Sequence, residues 1–550
     1  MSDSITSLAE DYWQHHLSTH PTEAHLVGRT EWAGEFEGAT RADEDAQVEA
    51  LRGFAARAEA LDPAGLDPQE VLTREVLLAH TRASADVLET RLGEMAADPI
   101  FGLQVSMGII APMLALPTPE VAEALVGKYA AIGRHLHELA ERQREGIASG
   151  RLPAAFAVAD TVAQLDARLA GPVADDPLLL TSTPPSGIDV DGWKARLREV
   201  VETEVRPGLA AYRAVLRNEV LPLARPDEQV GLTHLPGGDE AYAALLRYFT
   251  TTDKSAQEIH DIGLAQVAQL AEEYRALGPE VVGTADLAAI FEAMRTDPAL
   301  HFEHGEQLVE ASEVAMQRAW DAMPQWFETL PQARCVVQAT TSGAKAFYFP
   351  PSADGSRGGT FFINVDDPSA WGTFELEAMA FHEGIPGHHL QLAIAGELTT
   401  VPEFRKHLHN AAYAEGWGLY TERLADEMGL YSGPVDRMGM YAADSMRACR
   451  LVVDTGMHAL GWSREQAVQY MVDNSPLAEG VVRPEIDRYA VTPGQACSYM
   501  IGRLEIQRMR REAEERQGSD FSLPAFHSAV LDSGSLPLGV LDDVVVARLG

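Results

Sequence analysis

Apolar residues recur at three- and four-residue spacing along most of the first 330 positions, the period of a helix that buries one face. The segments Pro119 to Gly150 and Val190 to Leu221 carry this pattern most clearly and are rich in Ala, Leu, Glu and Arg, which cost little to place in a helix. Thr118-Pro119-Glu120 supplies a first turn, because the threonine oxygen can accept an orphan N–H and proline has no N–H to lose there. Turns such as Asp62-Pro-Ala-Gly separate the segments, and no fixed-period repeat runs through them. The turn-rich run between Gly171 and Gly187 is the natural place for an inter-lobe connection.

Between residues 334 and 365 the pattern changes. Cys335-Val-Val-Gln-Ala-Thr-Thr, Ala346-Phe-Tyr-Phe and Thr360-Phe-Phe-Ile-Asn-Val are aromatic and β-branched runs, which predict three short strands. The second and third are separated by Pro350-Pro-Ser-Ala-Asp-Gly-Ser-Arg-Gly-Gly, a turn whose glycines permit close backbone approach. Helical spacing resumes beyond Trp371, with Pro402, Pro434, Pro476, Pro493 and Pro524 where new helices can start. The expected architecture is mainly α: a large two-lobed helical body with a small β-ribbon. Residues 1–330 form an N-terminal helical region, and residues 331–550 hold the ribbon and the chemistry as one continuous catalytic unit.

Composition narrows the classes. With 550 residues, 46% hydrophobic and 23% charged, the chain is an ordinary globular protein large enough to bury a site. Its 82 acidic against 43 basic residues leave a net charge of −39, which repels nucleic acid and anionic membrane surfaces. The most apolar stretch, Phe101 to Leu116, is interrupted by Gln104, Ser106 and Pro112 and reads as buried core rather than a bilayer span. Acids stand near the N-terminus where an export signal carries basic residues, and Cys335, Cys449 and Cys497 are too far apart for a thiolate zinc site. A cytoplasmic protein with free thiols is the expectation.

The chemistry centres on His382-Glu383-Gly-Ile-Pro-Gly-His388-His389, at the end of a largely apolar helix beginning near Phe374. In zincins a histidine binds Zn²⁺ and the glutamate beside it takes a proton from water as general base; His382 and Glu383 suit those roles. The usual second histidine comes four residues later, one helical turn on. Here that position is Pro386. On an unbroken helix His389 returns to the His382 face but roughly 10 Å along the axis, too far for one ion. Pro386 should kink or bulge the helix between Gly384 and Gly387, which can restore His388 to the ligand face. His388 is therefore the preferred second ligand and His389 the alternative, the other making an outer hydrogen bond or touching substrate.

With 18 histidines in the chain, the spacing His-Glu-x4-His arises by chance in roughly one such chain in twenty, so context must support it. Asn410-Ala-Ala-Tyr-Ala-Glu415-Gly-Trp-Gly-Leu-Tyr-Thr-Glu422 is a second helix one short loop later. Glu415 is the natural third ligand, and two histidines with one glutamate leave a fourth zinc position open, as a catalytic site requires. Glu422, seven residues on along the same face, is the runner-up ligand, although a solvated helix carboxylate is its more ordinary reading.

Together, His382-Glu-Gly-Ile-Pro-Gly-His-His-Leu-Gln391, Glu415-Gly-Trp-Gly-Leu-Tyr420 and Pro493-Gly-Gln-Ala-Cys-Ser-Tyr-Met-Ile-Gly502 resemble the bacterial domain-of-unknown-function family 885. That family more distantly resembles the gluzincin zinc peptidases, among them angiotensin-converting enzyme, thimet oligopeptidase and the thermostable bacterial carboxypeptidases. The resemblance implies a zincin-like fold with a cleft between helical lobes. A Gly-His pair closing the first motif maps onto Gly387-His388 and supports His388 as ligand. It also implies a strand that binds substrate backbone by strand addition, here Thr360 to Val365 with Phe362 and Asn364 as contacts. A late tyrosine stabilising the oxyanion is implied as well, Tyr499 first and Tyr489 second. Arg357, in its glycine-rich turn, can present a charged fork to a substrate carboxylate.

The expected function is a peptidase using one Zn²⁺, with Glu383 as base and peptides as substrates. Hydrolysis of another amide or ester in a small metabolite would use the same machinery, and a noncatalytic helical binding protein is the alternative from a different class.

Overall fold

The computed structural model describes residues 4–550 except 96 and 352–356, so the turn expected over Pro350 to Gly359 lies partly outside the described residues. The chain is mainly helical, 71% helix and 4% strand, with one small sheet. It divides into two compact units: residues 1–62, 81–244 and 461–465 make the first, and residues 63–80, 245–460 and 466–550 the second. The division falls at Ala244/Leu245, not near residue 330, because the helices of 245–330 pack with the C-terminal half. Helical periodicity shows which face a helix buries but not which neighbour covers it.

The first unit is built on helix α1 (Pro119–Ser149). The Thr118 hydroxyl accepts from the Val121 N–H, Pro119 occupies the first turn, and Gly150 ends the helix at φ 74, a left-handed position that glycine takes without strain. Leu125, Tyr129, Ile132 and Leu136 form its buried stripe at helical spacing. The segment 171–187 is not an inter-lobe connection but part of this unit: Leu178 is fully buried and its carbonyl accepts from the Tyr129 hydroxyl at 2.6 Å. The stretch from Phe101 to Leu116 is only partly core. Met107, Ala111, Leu114 and Leu116 are buried, whereas Phe101, Ile109 and Met113 face outward. No helix among the described residues is long and apolar enough to cross a membrane.

The second unit carries His382, His388 and Glu415. Helix α2 (Ala256–Val281) packs along helix α3 (Pro434–His458), which is buried on nearly every side in its second half. Three strands, β1 (Cys335–Thr340), β2 (Ala346–Phe349) and β3 (Gly359–Asn364), form a sheet in the order β1-β3-β2. The central β3 pairs parallel with β1, Cys335 opposite Gly359, and antiparallel with β2, Ala346 opposite Ile363. Phe361 and Ile363 point to the buried face and Phe362 to the other, the alternation a half-buried strand requires.

Candidate metal centre

The first ligand segment begins as a single helical turn, Glu375–Met379, and widens into a π-type turn over Ala380–Gly384 that carries His382 and Glu383. Helical geometry then stops at Ile385, with φ −112 and ψ 129, and a new helix, His388–Glu397, starts at His388. The sequence predicts a kink here, and the structure goes further to a full break. Proline has no N–H for the ladder and forces the residue before it into extended backbone. The break brings His388 back beside His382, their rings edge to face with centroids 4.8 Å apart.

The helix Ala411–Glu427 supplies the rest. Asn410 caps it, its side-chain oxygen accepting from the Tyr413 N–H at 3.2 Å. Glu415 Oε2 lies 3.5 Å from Nε2 of both His382 and His388, and the three donor atoms fall within 4.8 Å of one another. Two turns on, buried Glu422 accepts from His382 Nδ1 at 2.8 Å. A carboxylate can only accept, so Nδ1 carries the proton that faces Glu422, and Nε2 is the nitrogen turned toward Glu415 and His388.

The intervening residues fit this helix to its neighbours. A Cβ on Gly418 would lie 2.7–3.0 Å from the His382 ring, so glycine makes the room that the imidazole fills. A Cβ on Gly416 would lie 2.5 Å from the backbone of Gly502, where the helix Ser498–Gln517 crosses. The Trp417 indole N–H donates to the Pro386 carbonyl at 3.0 Å and the Thr421 hydroxyl to the Phe381 carbonyl at 3.1 Å, tying down both sides of the break.

Electrostatics agree with the geometry. Burial disfavours a charged His382, but hydrogen bonds with Glu415 and Glu422 override it and raise its pKa to about 9. Burial likewise opposes ionised Glu415, yet the two imidazoles hold it well below the usual carboxylate range. Carboxylates on both sides of a sealed imidazole create a demand for positive charge at the point the three donors share. Two imidazole nitrogens and one carboxylate oxygen suit a zinc ion, leave it an open position, and have in Glu422 the outer carboxylate that zinc-binding histidines usually engage. Among the described residues no other cluster of three such groups is found.

Glu383 is not one of the three clustered donors, although its charge is felt by His382. It is half-buried, and its carboxylate has no hydrogen-bond partner among the described residues. It lies close enough to the Cys335 thiol that its charge adds to burial in pushing that group up to about 12.

His389 is not among the clustered donors. Its Nε2 donates to the Ala333 carbonyl at 3.0 Å, which leaves Nδ1 to accept from the Tyr348 hydroxyl at 2.8 Å. Burial lowers its pKa to about 4, so it is a neutral strut between the ligand segment and β2.

The other expected contacts are occupied in different ways. Arg357 donates to the carbonyls of Pro350 at 2.7 Å and Gly358 at 3.0 Å. Phe362 stacks on Phe347 at 5.0 Å, and the Asn364 amide donates to the Gly343 carbonyl at 3.3 Å. Strand addition along Thr360 to Val365 is corrected: β3 is central, its two edges are taken by β1 and β2, and no ladder position is left for a substrate backbone. Strand order cannot be read from three adjacent apolar runs, which is why the sequence favours the wrong strand.

Tyr499 lies one turn before Gly502, hence beside Glu415 where the two helices cross. It is half-buried, and burial, with the Glu415 charge adding, raises its phenol pKa. Tyr489 is fully buried, its hydroxyl accepting from Arg450 Nε at 2.7 Å and donating to Glu485. Sequence reasoning passed over His409, which senses the charges of Glu415 and His388 and whose pKa burial lowers. The sequence signal was a histidine directly before the Asn410 cap.

Fold and site together define a mainly helical protein with a two-histidine, one-glutamate cluster disposed as a metal centre. The chain belongs to the family described as bacterial protein of unknown function (DUF885), whose model matches residues 21–545. A candidate lipoprotein from Colwellia psychrerythraea has a similar structure, with a TM-score of 0.90 at 24% identity and complete coverage of both chains. A candidate lipoprotein of unknown function from Shewanella oneidensis gives 0.79 at 19% identity, over 99% of this chain and 100% of that one. At these identities the likeness shows the fold alone. No curated protein matches the chain significantly.

Proposed function

We propose that this protein is a zinc-dependent hydrolase whose substrates are peptides. The observation that carries the reading is the convergence of His382, His388 and Glu415 within 4.8 Å, with an unengaged Glu383 next in the chain. The more distant resemblance of the family to the gluzincin peptidases, read at the Gly387-His388 pair that closes the first motif, supports the same choice. A divalent cation held there supplies Lewis acidity, which polarises a carbonyl and makes a water nucleophilic at neutral pH.

The chain's own residues do the remaining work. Glu383 takes the proton from the attacking water on its free carboxylate and returns it to the leaving amine. Tyr499, beside Glu415, donates its hydroxyl to the oxygen that becomes negative. Glu422 holds the His382 ring so that Nε2 stays available. Three widely spaced cysteines, odd in number, fit a reducing, cytoplasmic setting.

Metal analysis of tag-free protein purified without chelator tests the reading, with one zinc per chain expected. Glu383→Gln should keep that zinc and lose peptide cleavage by about 10²–10⁴-fold. Protein without stoichiometric metal, or a variant as active as the parent, would overturn it.

A further inference from the structure

Helix α3 places two arginines one turn apart, Arg447 and Arg450, both more than nine-tenths buried. Their guanidinium carbons lie 5.9 Å and 4.4 Å from the centre of the Tyr499 ring, and Tyr499 borders Glu415. Arg488, from the helix Glu479–Val491, joins them and donates to Glu485 at 3.0 Å. Glu485 also takes Arg450 at 2.9 Å and the Tyr489 hydroxyl, so one carboxylate serves two arginines.

Arg447 has no carboxylate partner among the described residues. Its one hydrogen bond runs from Nη1 to the Ala443 carbonyl of its own helix at 3.3 Å. Its Nε is buried without a partner, and so is Nη1 of Arg450. Glu485 answers Arg450 and Arg488 but not Arg447, whose guanidinium lies within a tyrosine ring of Glu415 and bonds no carboxylate among the described residues, in a protein of net charge −39. An unpaired buried cation is costly and is rarely kept unless something compensates it. The Tyr499 ring eases the cost by cation–π attraction but brings no counter-charge.

We infer that Arg447 and Arg450 form an anion site that binds a carboxylate of the substrate next to the metal centre, and that the free C-terminus of a peptide supplies it. Planar guanidinium groups match a carboxylate two oxygens at a time. Their closeness to Tyr499 and Glu415 puts that carboxylate within a residue or two of the reacting carbonyl, so cleavage is confined to the C-terminal end of short peptides. The inference deepens the hydrolase reading and rests on it.

The test compares N-acetylated tripeptides ending in a carboxylate with the same peptides ending in a carboxamide, and with carboxamides whose last residue is Glu. The zinc-loaded full chain should favour the free acid by about 100-fold in kcat/KM, the loss expected when a buried charge pair is left half-made. Arg447→Gln should shrink that ratio to about threefold or less with metal content unchanged, and Arg447→Lys should restore part of it. Equal cleavage of acid and amide, or a variant that lowers both by one factor as a packing residue would, overturns the site. Glu-ending amides cleaved as well as free acids overturn the terminal assignment in favour of a side-chain carboxylate.

If no peptide is cleaved, the hydrolase reading has failed, and calorimetric titration of acetyl-dipeptide acid against amide still decides the site. At least tenfold tighter binding of the acid, lost in Arg447→Gln, supports it. Equal or absent binding overturns it.

Discussion

His382 Nδ1 and Glu422 Oε1 are 2.8 Å apart, both sealed from solvent, and this contact decides which face of the imidazole is left for a cation. A carboxylate behind the ring also makes the opposite nitrogen a stronger donor. Glu422→Gln is therefore expected to weaken zinc binding by about 10–100-fold. Chelator competition measures it, and an affinity equal to the parent's would remove Glu422 from the site.

Tyr499 borders Glu415 and is the oxyanion donor of the proposed reaction. Tyr499→Phe should lower kcat by about 10²–10³-fold, the loss typical of one oxyanion donor, with zinc content unchanged. Single-turnover kinetics with parallel metal analysis separates this from a folding defect, and a kcat within a factor of three would exclude the role.

The crossing of Gly416 and Gly502 leaves no room for a methyl group. Gly416→Ala should destabilise the protein by about 1–3 kcal/mol through overpacking and, by pushing the helices apart, loosen Glu415. Urea unfolding and zinc affinity should fall together, and unchanged values of both would show that the crossing can relax.

His527 donates from Nδ1 to the Trp326 carbonyl at 2.8 Å and accepts at Nε2 from the Tyr420 hydroxyl at 2.9 Å. Burial, with nearby Arg510 adding, lowers its pKa to about 3. The group is neutral in the fold and takes up a proton on unfolding below about pH 6.5, its unfolded pKa. Its contribution is thus intact above that pH and is lost as pH falls toward 3. The loss between pH 7 and pH 5 is about 2 kcal/mol. His527→Asn should be less stable at pH 7 yet show a flatter stability profile over those two pH units, and a slope equal to the parent's would contradict the assignment.

Much of this site is written in local patterns. The pair His382-Glu383, the proline in the usual second-ligand position and the glutamate of the next helix are all visible in short windows, and the structure brings His382, His388 and Glu415 together. Glu422 was legible as a face-mate of Glu415, but a helix carboxylate is ordinarily solvated, and its burial depends on a partner forty residues away. The sheet's three strands were visible, and their order was not, because pairing is decided by the chain between them. The Arg447-x-x-Arg450 spacing carries a signal too, two cations one turn apart among Met446, Ala448, Cys449, Leu451, Val452 and Val453.

The stretch from Glu415 to Glu422 leaves nearly every side chain an assigned neighbour, and its two carboxylates address one imidazole from opposite sides. Deleting a single residue inside it would turn all that follows by about 100° around the axis, carrying Glu422 off the ring it supports. Evolution can lengthen or shorten the approach to this helix far more freely than the stretch from Glu415 to Glu422 itself, so insertions among related chains should stop short of it.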